Sequence, residues 1–226
     1  MKKIFIQTPL NETGGTVDLA AYYWEGSQPK AVTLFHMMPA TKESWFPLAD
    51  KINAFGMHVL AIDLRGHGES TQGTTIDGKP LILNFSEFTD EDHQNSIYDV
   101  EQSVNFFISQ GFTPNNIMLG GASIGANLTL RFLSRHPEVK KGFALSPGLD
   151  YRGIKTQTAV GKMQEDQHIL LICAEDDAYS HHSISRLSTE GVVDKALKSY
   201  PSGGHGTERF ESQPEILDFL TSWVTQ

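Results

Sequence analysis

A short glycine-rich segment, Leu-Gly-Gly-Ala-Ser-Ile-Gly-Ala at 119–126, contains the residue best suited to do covalent chemistry. Ser123 lies in a G-x-S-x-G pattern with Gly121 and Gly125, between an apolar run typical of a strand and a run typical of a helix. Glycines at these positions leave room for a sharp strand-to-helix turn that exposes the hydroxyl as a nucleophile. An ordinary glycine-rich turn contains the same residues, so the pattern alone leaves both interpretations open.

Two further polar groups follow apolar, strand-like runs later in the chain. The run 168–173 leads into an acidic triplet at 175–177, and the run 196–200 leads into His205, which is flanked by glycines. A histidine can take the proton of a serine hydroxyl, and a carboxylate can orient the imidazole ring. The alternative interpretation of His205 is an exposed histidine in a turn. The order of serine, acid and histidine favours the catalytic interpretation.

These motifs resemble those of the α/β-hydrolase superfamily, in particular its carboxylesterase and dienelactone-hydrolase-like members. In that family the acid often ends a strand-Gly-x-x-Asp pattern, and Ala174 occupies the glycine position here. The resemblance therefore implies Asp177 as the acid, with Asp176 as the alternative. It implies Ser123 as the nucleophile and His205 as the base.

The resemblance also implies where the oxyanion of a tetrahedral intermediate would bind. An apolar run ends in His-Met-Met-Pro at 36–39, where the family has His-Gly-x, and the backbone N–H of x forms half of the oxyanion hole. Met38 would supply this amide, and Ile124, which follows the nucleophile, would supply the other. Because Met37 replaces the usual glycine, it stays an alternative to Met38.

A second motif, Asp-Leu-Arg-Gly-His-Gly-Glu-Ser at 63–70, matches the family's D-x-R-G-x-G-x-S pattern after the fourth strand. We interpret Asp63, Arg65 and His67 as structural residues that organise this loop. His36, in the preceding motif, is likewise interpreted as structural.

The order of elements predicts an α/β class protein with a mainly parallel eight-stranded sheet and helices on both faces. The resemblance implies that this is an α/β-hydrolase fold, here with no cap domain. One domain covering 1–226 is expected from the length. Because Ser146 is close in sequence to the next strand, a helical cap cannot fit, and Ser123 is expected near an open surface. Strands are predicted at 3–7, 16–24, 31–36, 57–62, 116–120, 142–146, 168–173 and 195–200. Helices are predicted at 44–55, 90–110, directly after Ser123, and at about 208–224.

Four aromatic residues are candidates for the walls of a substrate pocket. The stretch 71–89 is predicted to be an irregular loop, and long loops in compact proteins are often functional. Its Phe85 and Phe88, together with Tyr151 and Tyr179 from other loops, could line an acyl or alcohol pocket. Ordinary packing is the alternative for each of them.

The composition excludes several classes of function. A formal charge of −9 argues against a nucleic-acid groove or binding to an anionic membrane surface. The sequence contains no cluster with metal-ligand spacing, no Walker loop and no dinucleotide fingerprint, so neither a metal nor an organic cofactor is expected. The chain also lacks a signal-peptide core and any run of transmembrane length, so a cytoplasmic location is expected. The oligomeric state stays open.

The sequence thus predicts a serine hydrolase that cleaves small or short-chain carboxylic esters through an acyl-enzyme. The same residues would serve a thioesterase, a peptidase-like acyl hydrolase or a perhydrolase. A binding protein that retains the fold without its chemistry is an alternative of a different class.

Overall fold

A mixed ten-stranded sheet forms the centre of the computed structural model, which describes all residues from Met1 to Gln226. Its strands are β1 (Lys2–Asn11), β2 (Gly14–Trp24), β3 (Ala31–Phe35), β4 (His58–Ile62), β5 (Gln72–Thr74), β6 (Pro80–Ile82), β7 (Ile117–Ala122), β8 (Lys141–Leu145), β11 (His168–Ala174) and β12 (Asp194–Tyr200). A separate hairpin consists of β9 (Asp150–Tyr151) and β10 (Ile154–Lys155). Along the main sheet the order is β12-β11-β8-β7-β3-β4-β2, with β1 on the outer edge of β2. The six strands from β12 to β4 are parallel, and β1, β2, β5 and β6 pair antiparallel.

Helices cover both faces of this sheet. They are α1 (Phe46–Ala54), α2 (Asp90–Gln94), α3 (Ile97–Ser109), α4 (Ile124–Leu133), α5 (Gln157–Lys162), α6 (Ala178–Leu187), α7 (Arg209–Ser212) and α8 (Glu215–Thr225). One apolar core contains residues of α3, α4 and α6, and a second contains residues of α1 and α8. Successive strand residues alternate between the two cores: Met118 belongs to one and Leu119 to the other, as the period of two requires. Both faces of the parallel strands are therefore buried.

The predicted fold class and all eight predicted strands are confirmed, but the sheet has ten strands instead of eight, because β5 and β6 also belong to it. The prediction of an irregular 71–89 loop is wrong in part, because β5 and β6 pair as a hairpin that extends the sheet from the edge of β2. No cap domain is present: the segment between β8 and β11 contains only the β9–β10 hairpin and the short α5. None of the helices combines the length and the apolar character needed to cross a membrane.

Two predicted helices are each divided. In 90–110 the chain tightens between α2 and α3, where Ser96 N–H bonds to His93 O and Tyr98 N–H bonds to Asn95 O, one residue closer than in an α-helix. In 208–224 the division is at Gln213, which has φ −141° and ψ 70° because the following Pro214 disfavours helical geometry there. The helix α6 was not predicted, because its sequence carries few apolar residues.

Candidate active site

Ser123 occupies a strained turn between β7 and α4. Its backbone has φ 53° and ψ −117°, a left-handed conformation that is uncommon outside glycine. The two flanking glycines are required by space: a Cβ on Gly121 would lie 2.1 Å from Gly125 O, and a Cβ on Gly125 would lie 2.3 Å from Phe35 O. The turn therefore brings the start of α4 against the end of β3. This is the elbow geometry that the G-x-S-x-G pattern predicts.

Asp177 and His205 form a charge-assisted contact at the ends of neighbouring strands. The distance between Asp177 Oδ2 and His205 Nδ1 is 2.7 Å, and the Asp177 side chain is only 12 % exposed. Its other oxygen accepts from Ser180 N–H at 3.4 Å, so Asp177 also caps the N-terminus of α6. Burial alone would raise the pKa of Asp177, but hydrogen bonds from His205 and Ser180 outweigh it and lower that pKa to about 2. The carboxylate is thus ionised at neutral pH and fixes the imidazole ring.

The neighbouring Asp176 points at the backbone of the same loop. Its carboxylate accepts from Gly203 N–H at 3.1 Å and from Gly204 N–H at 3.3 Å. Asp176 therefore holds the turn that precedes His205, whereas Asp177 bonds to the ring. This geometry favours Asp177 as the acid.

Two buried residues that sequence reasoning missed support this arrangement. Ser146, with φ 50°, accepts from Gly206 N–H at 2.9 Å, and its hydroxyl helps to lower the pKa of the Asp177 carboxylate. Arg209 is fully buried and donates to Ser146 Oγ at 3.0 Å, to Gly204 O at 2.8 Å and to Gly206 O at 3.2 Å. Burial lowers the pKa of Arg209, since its hydrogen bonds go to neutral oxygens. Together the two side chains bond to the backbone on both sides of His205, at Gly204 and at Gly206.

Tyr151, on the β9–β10 hairpin, packs beside His205. Its ring lies edge-on to His205, with centroids 6.2 Å apart, and its hydroxyl is 3.2 Å from Ser180 Oγ. Burial raises the pKa of Tyr151. Ser123 is only 8 % exposed. Ser123 is therefore less exposed than the absence of a cap led us to expect.

The candidate oxyanion amides lie where β3 and β7 end side by side. Ile124 is the first residue of α4, so its N–H has no partner within the helix. Neither Met37 nor Met38 donates its backbone N–H to a protein acceptor. Met37 packs its side chain into the core, and its sulfur lies near Gly206. Both methionine amides thus stay available, and the choice between them is a proposal.

The 63–70 motif organises the loops beneath the site. Asp63 accepts from Lys42 Nζ at 2.7 Å and from Lys42 N–H at 2.8 Å, and both residues are buried. Arg65 pairs with the buried Asp99 at 2.6 Å and donates to Pro9 O. These contacts are those of structural residues.

A histidine pair connects this motif with the oxyanion segment. His36 Nδ1 donates to Met37 O at 2.8 Å, and its Nε2 accepts from Leu64 N–H at 3.0 Å. Full burial, assisted by the neighbouring His67, lowers the pKa of His36 to about 3. The ring is therefore neutral and fixes the exit of β3 against the exit of β4.

The four predicted pocket residues separate into two pairs. Tyr179 packs edge-on to Tyr151 and bonds to Asp150, so these tyrosines form one wall beside His205. Phe85 instead stacks on His67, with centroids 4.1 Å apart. Phe88 packs on His93 and lines a separate cavity of about 280 Å³ that none of Ser123, Asp177 and His205 lines.

Comparison with known proteins places this geometry in a family. The family model described as the alpha/beta hydrolase fold matches residues 30–165. A search of curated proteins gives no significant match. An esterase from Pyrococcus furiosus superposes with a TM-score of 0.70 at 16% identity, covering 99% of this chain and 88% of that one. A dienelactone hydrolase from Anabaena variabilis gives a TM-score of 0.68 at 16% identity, covering 99% and 95%.

A third similar structure is Est1E from Butyrivibrio proteoclasticus with bound ferulic acid. It gives a TM-score of 0.72 at 15% identity, covering 97% of this chain and 96% of that one. These superpositions establish a shared architecture, and the family model covers more than half of the sequence. The chain with the Ser123 elbow and the Asp177–His205 pair therefore belongs to the α/β-hydrolase fold family.

Proposed function

We propose that this protein is a serine hydrolase that cleaves small carboxylic esters. The observation that carries the proposal is the Asp177–His205 hydrogen bond of 2.7 Å at the same edge of the sheet as a serine held at φ 53°. A strained serine, an oriented imidazole and an ionised carboxylate on three different loops are the parts of a serine nucleophile system. The structural neighbours named as esterases support the choice of an ester as substrate.

In the proposed mechanism, Ser123 Oγ attacks the ester carbonyl while His205 Nε2 takes its proton. Asp177 keeps the imidazole in the tautomer with hydrogen on Nδ1 and stabilises the imidazolium that forms. The backbone amides of Ile124 and of Met38, or alternatively Met37, stabilise the oxyanion. His205 then protonates the leaving alcohol, and water attacks the acyl-enzyme by the same route. Apart from the ester and the water, every group in this mechanism belongs to the chain itself.

We propose that the acyl group is small. Ser123 is 8 % exposed, and Tyr151 and Tyr179 stand together beside His205, so a long chain would have to displace packed aromatic rings. A pocket with few apolar walls offers little binding energy for a long acyl chain.

Labelling with a fluorophosphonate probe tests the nucleophile. We expect covalent labelling of Ser123 and its loss in Ser123→Ala, with a fall in ester turnover of about 10⁶ if the residues behave as a unit. Ser109→Ala, which removes an exposed hydroxyl on α3, serves as the matched control and should label normally. Full labelling of Ser123→Ala would refute the assignment.

A substrate panel tests the reaction class. We expect short-chain esters to be hydrolysed faster than the corresponding thioesters and amides. A preference for thioesters or amides would retain the nucleophile but replace the proposed substrate class. A folded protein that neither labels nor turns over any of the three would be a binding protein of this fold.

A further inference from the structure

A cavity at the far end of α4 is lined by basic side chains. Its volume is about 320 Å³, which is within the range of small-molecule pockets. Its basic residues are Arg131, Arg135, Lys155 and Lys162, and its neutral residues are Gln94, Ser134, Gly153, Thr158 and Ala159. No carboxylate lines this cavity. Arg131 is eight residues beyond Ser123 along the helix, about 12 Å at the helical rise, so the cavity is distinct from the candidate active site.

The four cations have no carboxylate partners. None of them takes part in a salt bridge, although the chain carries 27 acidic residues against 18 basic ones. Arg131 is half-buried, and burial together with the charge of Arg135 lowers its pKa. Like charges that converge without counter-ions repel one another. On a protein with a formal charge of −9, such a concentration of positive charge is a local exception.

Helix dipoles explain only part of this cluster. Arg131 and Arg135 lie at the C-terminal end of α4, and Lys162 ends α5, where cations interact favourably with unpaired carbonyls. That attraction is confined to the last turn of each helix. It does not account for Lys155, which comes from the β9–β10 hairpin and completes the positive lining from a third element.

The cavity also offers neutral donors for an anion. The Gln94 amide lies against the backbone of Gly153, where a Cβ would meet its nitrogen at 2.5 Å. Gly153 has φ +76°, so the hairpin turn and the Gln94 side chain fit closely without a side chain between them. Thr158 contributes an exposed hydroxyl. Arginine forks together with amide and hydroxyl donors are the groups that bind phosphate oxygens.

We propose that this cavity binds the phosphate group of a small phosphorylated molecule. A compact dianion or trianion would neutralise several of the four cations within one pocket. A long anionic polymer fits less well, because acidic residues flank the cavity in sequence: 90–92 precede Gln94, and Glu165 and Asp166 follow Lys162. The proposal is independent of the reaction at Ser123.

Calorimetric titration with inorganic pyrophosphate at constant ionic strength tests the proposal. The cavity variant is Arg135→Gln with Lys155→Gln, since both side chains are exposed and their loss should leave the fold intact. The matched control is Arg186→Gln with Lys198→Gln, which removes one arginine and one lysine from exposed positions outside the cavity. Both variants have the same net charge. Amide chemical-shift changes in the unmodified protein locate the bound anion.

We expect saturable binding in the unmodified protein, with shifts confined to Gln94, 131–135 and 153–162. Each charged hydrogen bond contributes substantially, so the cavity variant should bind at least about tenfold more weakly and the control within about twofold of the original. Absence of saturable binding, or equal weakening in both variants, would refute the site. If a single-stranded oligonucleotide bound more tightly than pyrophosphate through the same residues, the proposal of a small phosphorylated ligand would be refuted.

Discussion

At the residue scale, Asp176 and Asp177 are adjacent carboxylates with different partners. Asp177 bonds to the His205 ring, whereas Asp176 bonds to the backbone of the turn before it. This division of contacts is the structural reason to separate two residues that the sequence alone leaves close.

The first prediction compares Asp177→Asn with Asp176→Asn. Asp177→Asn should lower turnover by about 10⁴, because an asparagine would hold His205 in the wrong tautomer. Asp176→Asn retains an oxygen acceptor and should have a small effect. Steady-state kinetics on a short-chain ester, with circular dichroism as the folding control, measures both. A larger loss in Asp176→Asn would reverse the assignment.

The second prediction concerns Arg209, which we expect to position His205. Arg209→Lys retains the charge but loses the fork in which Nη2 bonds to Ser146 Oγ and Gly204 O while Nε bonds to Gly206 O. Because a misplacement of about 1 Å can cost about 10²-fold in rate, kcat should fall by about 10- to 100-fold with little change in KM. Arg209→Gln should be worse, since it also leaves buried carbonyls unpaired.

The measurements are kcat, KM and the low-field proton signal of His205 Nδ1–H, each taken below the unfolding temperature of the variant. A purely structural role would lower that temperature and leave kcat and the proton signal unchanged. That outcome would contradict the positioning role.

Sequence reasoning could find Ser123, Asp177 and His205 because each belongs to a local pattern beside a strand. It could not find Ser146 or Arg209, since their contacts join segments about sixty residues apart and no local spacing marks them. Ser146 has a left-handed backbone at the end of β8, but serine is not a residue that signals this conformation.

At the scale of elements, the ends of the parallel strands are fixed to one another by buried polar side chains. His36 is the clearest case, because it bonds to the exit of β3 and to the exit of β4. Its neutral form is required for both bonds, since Nε2 must accept while Nδ1 donates.

The third prediction follows from the pKa of His36, which burial lowers from about 6.5 in the unfolded chain to about 3. Between these values the unfolded chain binds a proton that the folded protein does not. The stabilisation is therefore complete above pH 6.5 and is lost as pH falls, with a slope of up to about 1.4 kcal/mol per pH unit.

Urea unfolding at pH 7, 6 and 5 measures this slope. His36→Gln, which can still accept from Leu64 N–H, should be less stable at pH 7 but should lose less stability on acidification. His181→Gln, at an exposed position, is the matched control and should retain the original slope. Equal slopes in the original protein and His36→Gln would contradict the prediction.

The strands were predictable because apolar runs between turn residues are a strong local signal. The helices were less predictable from the sequence. In 90–110 the apolar stripe begins only at Ile97, after the tightened turn, and 90–96 carries no apolar residue, so the pattern could not reveal the division. In 208–224 the signal was present in Pro214, since the residue before a proline avoids helical geometry. For α6, the identifiable signal was Asp177 as a cap rather than an apolar stripe.

At the scale of the whole molecule, the residues of the candidate site follow four neighbouring strands and therefore lie at one edge of the sheet. Ser123 follows β7, Ser146 follows β8, Asp177 follows β11 and His205 comes after β12, and these strands are adjacent in that order. The carboxyl ends of parallel strands are the usual location of sites in open α/β sheets. The topology, more than any single motif, brings distant residues together.

The position of β12 as an edge strand of the sheet has a consequence for how the protein unfolds. Only β11 pairs with it, and most of its side chains are exposed. Exposed edge strands of this kind open locally at a lower free energy than the strands in the interior of the sheet. The loop with His205 would then detach while the remainder stays native, so mild denaturant should abolish ester turnover before tryptophan fluorescence changes. Coincident curves would show instead that β12 unfolds only with the whole. If the activity and fluorescence curves do not coincide, the protein can lose its activity while its fluorescence still indicates a native fold.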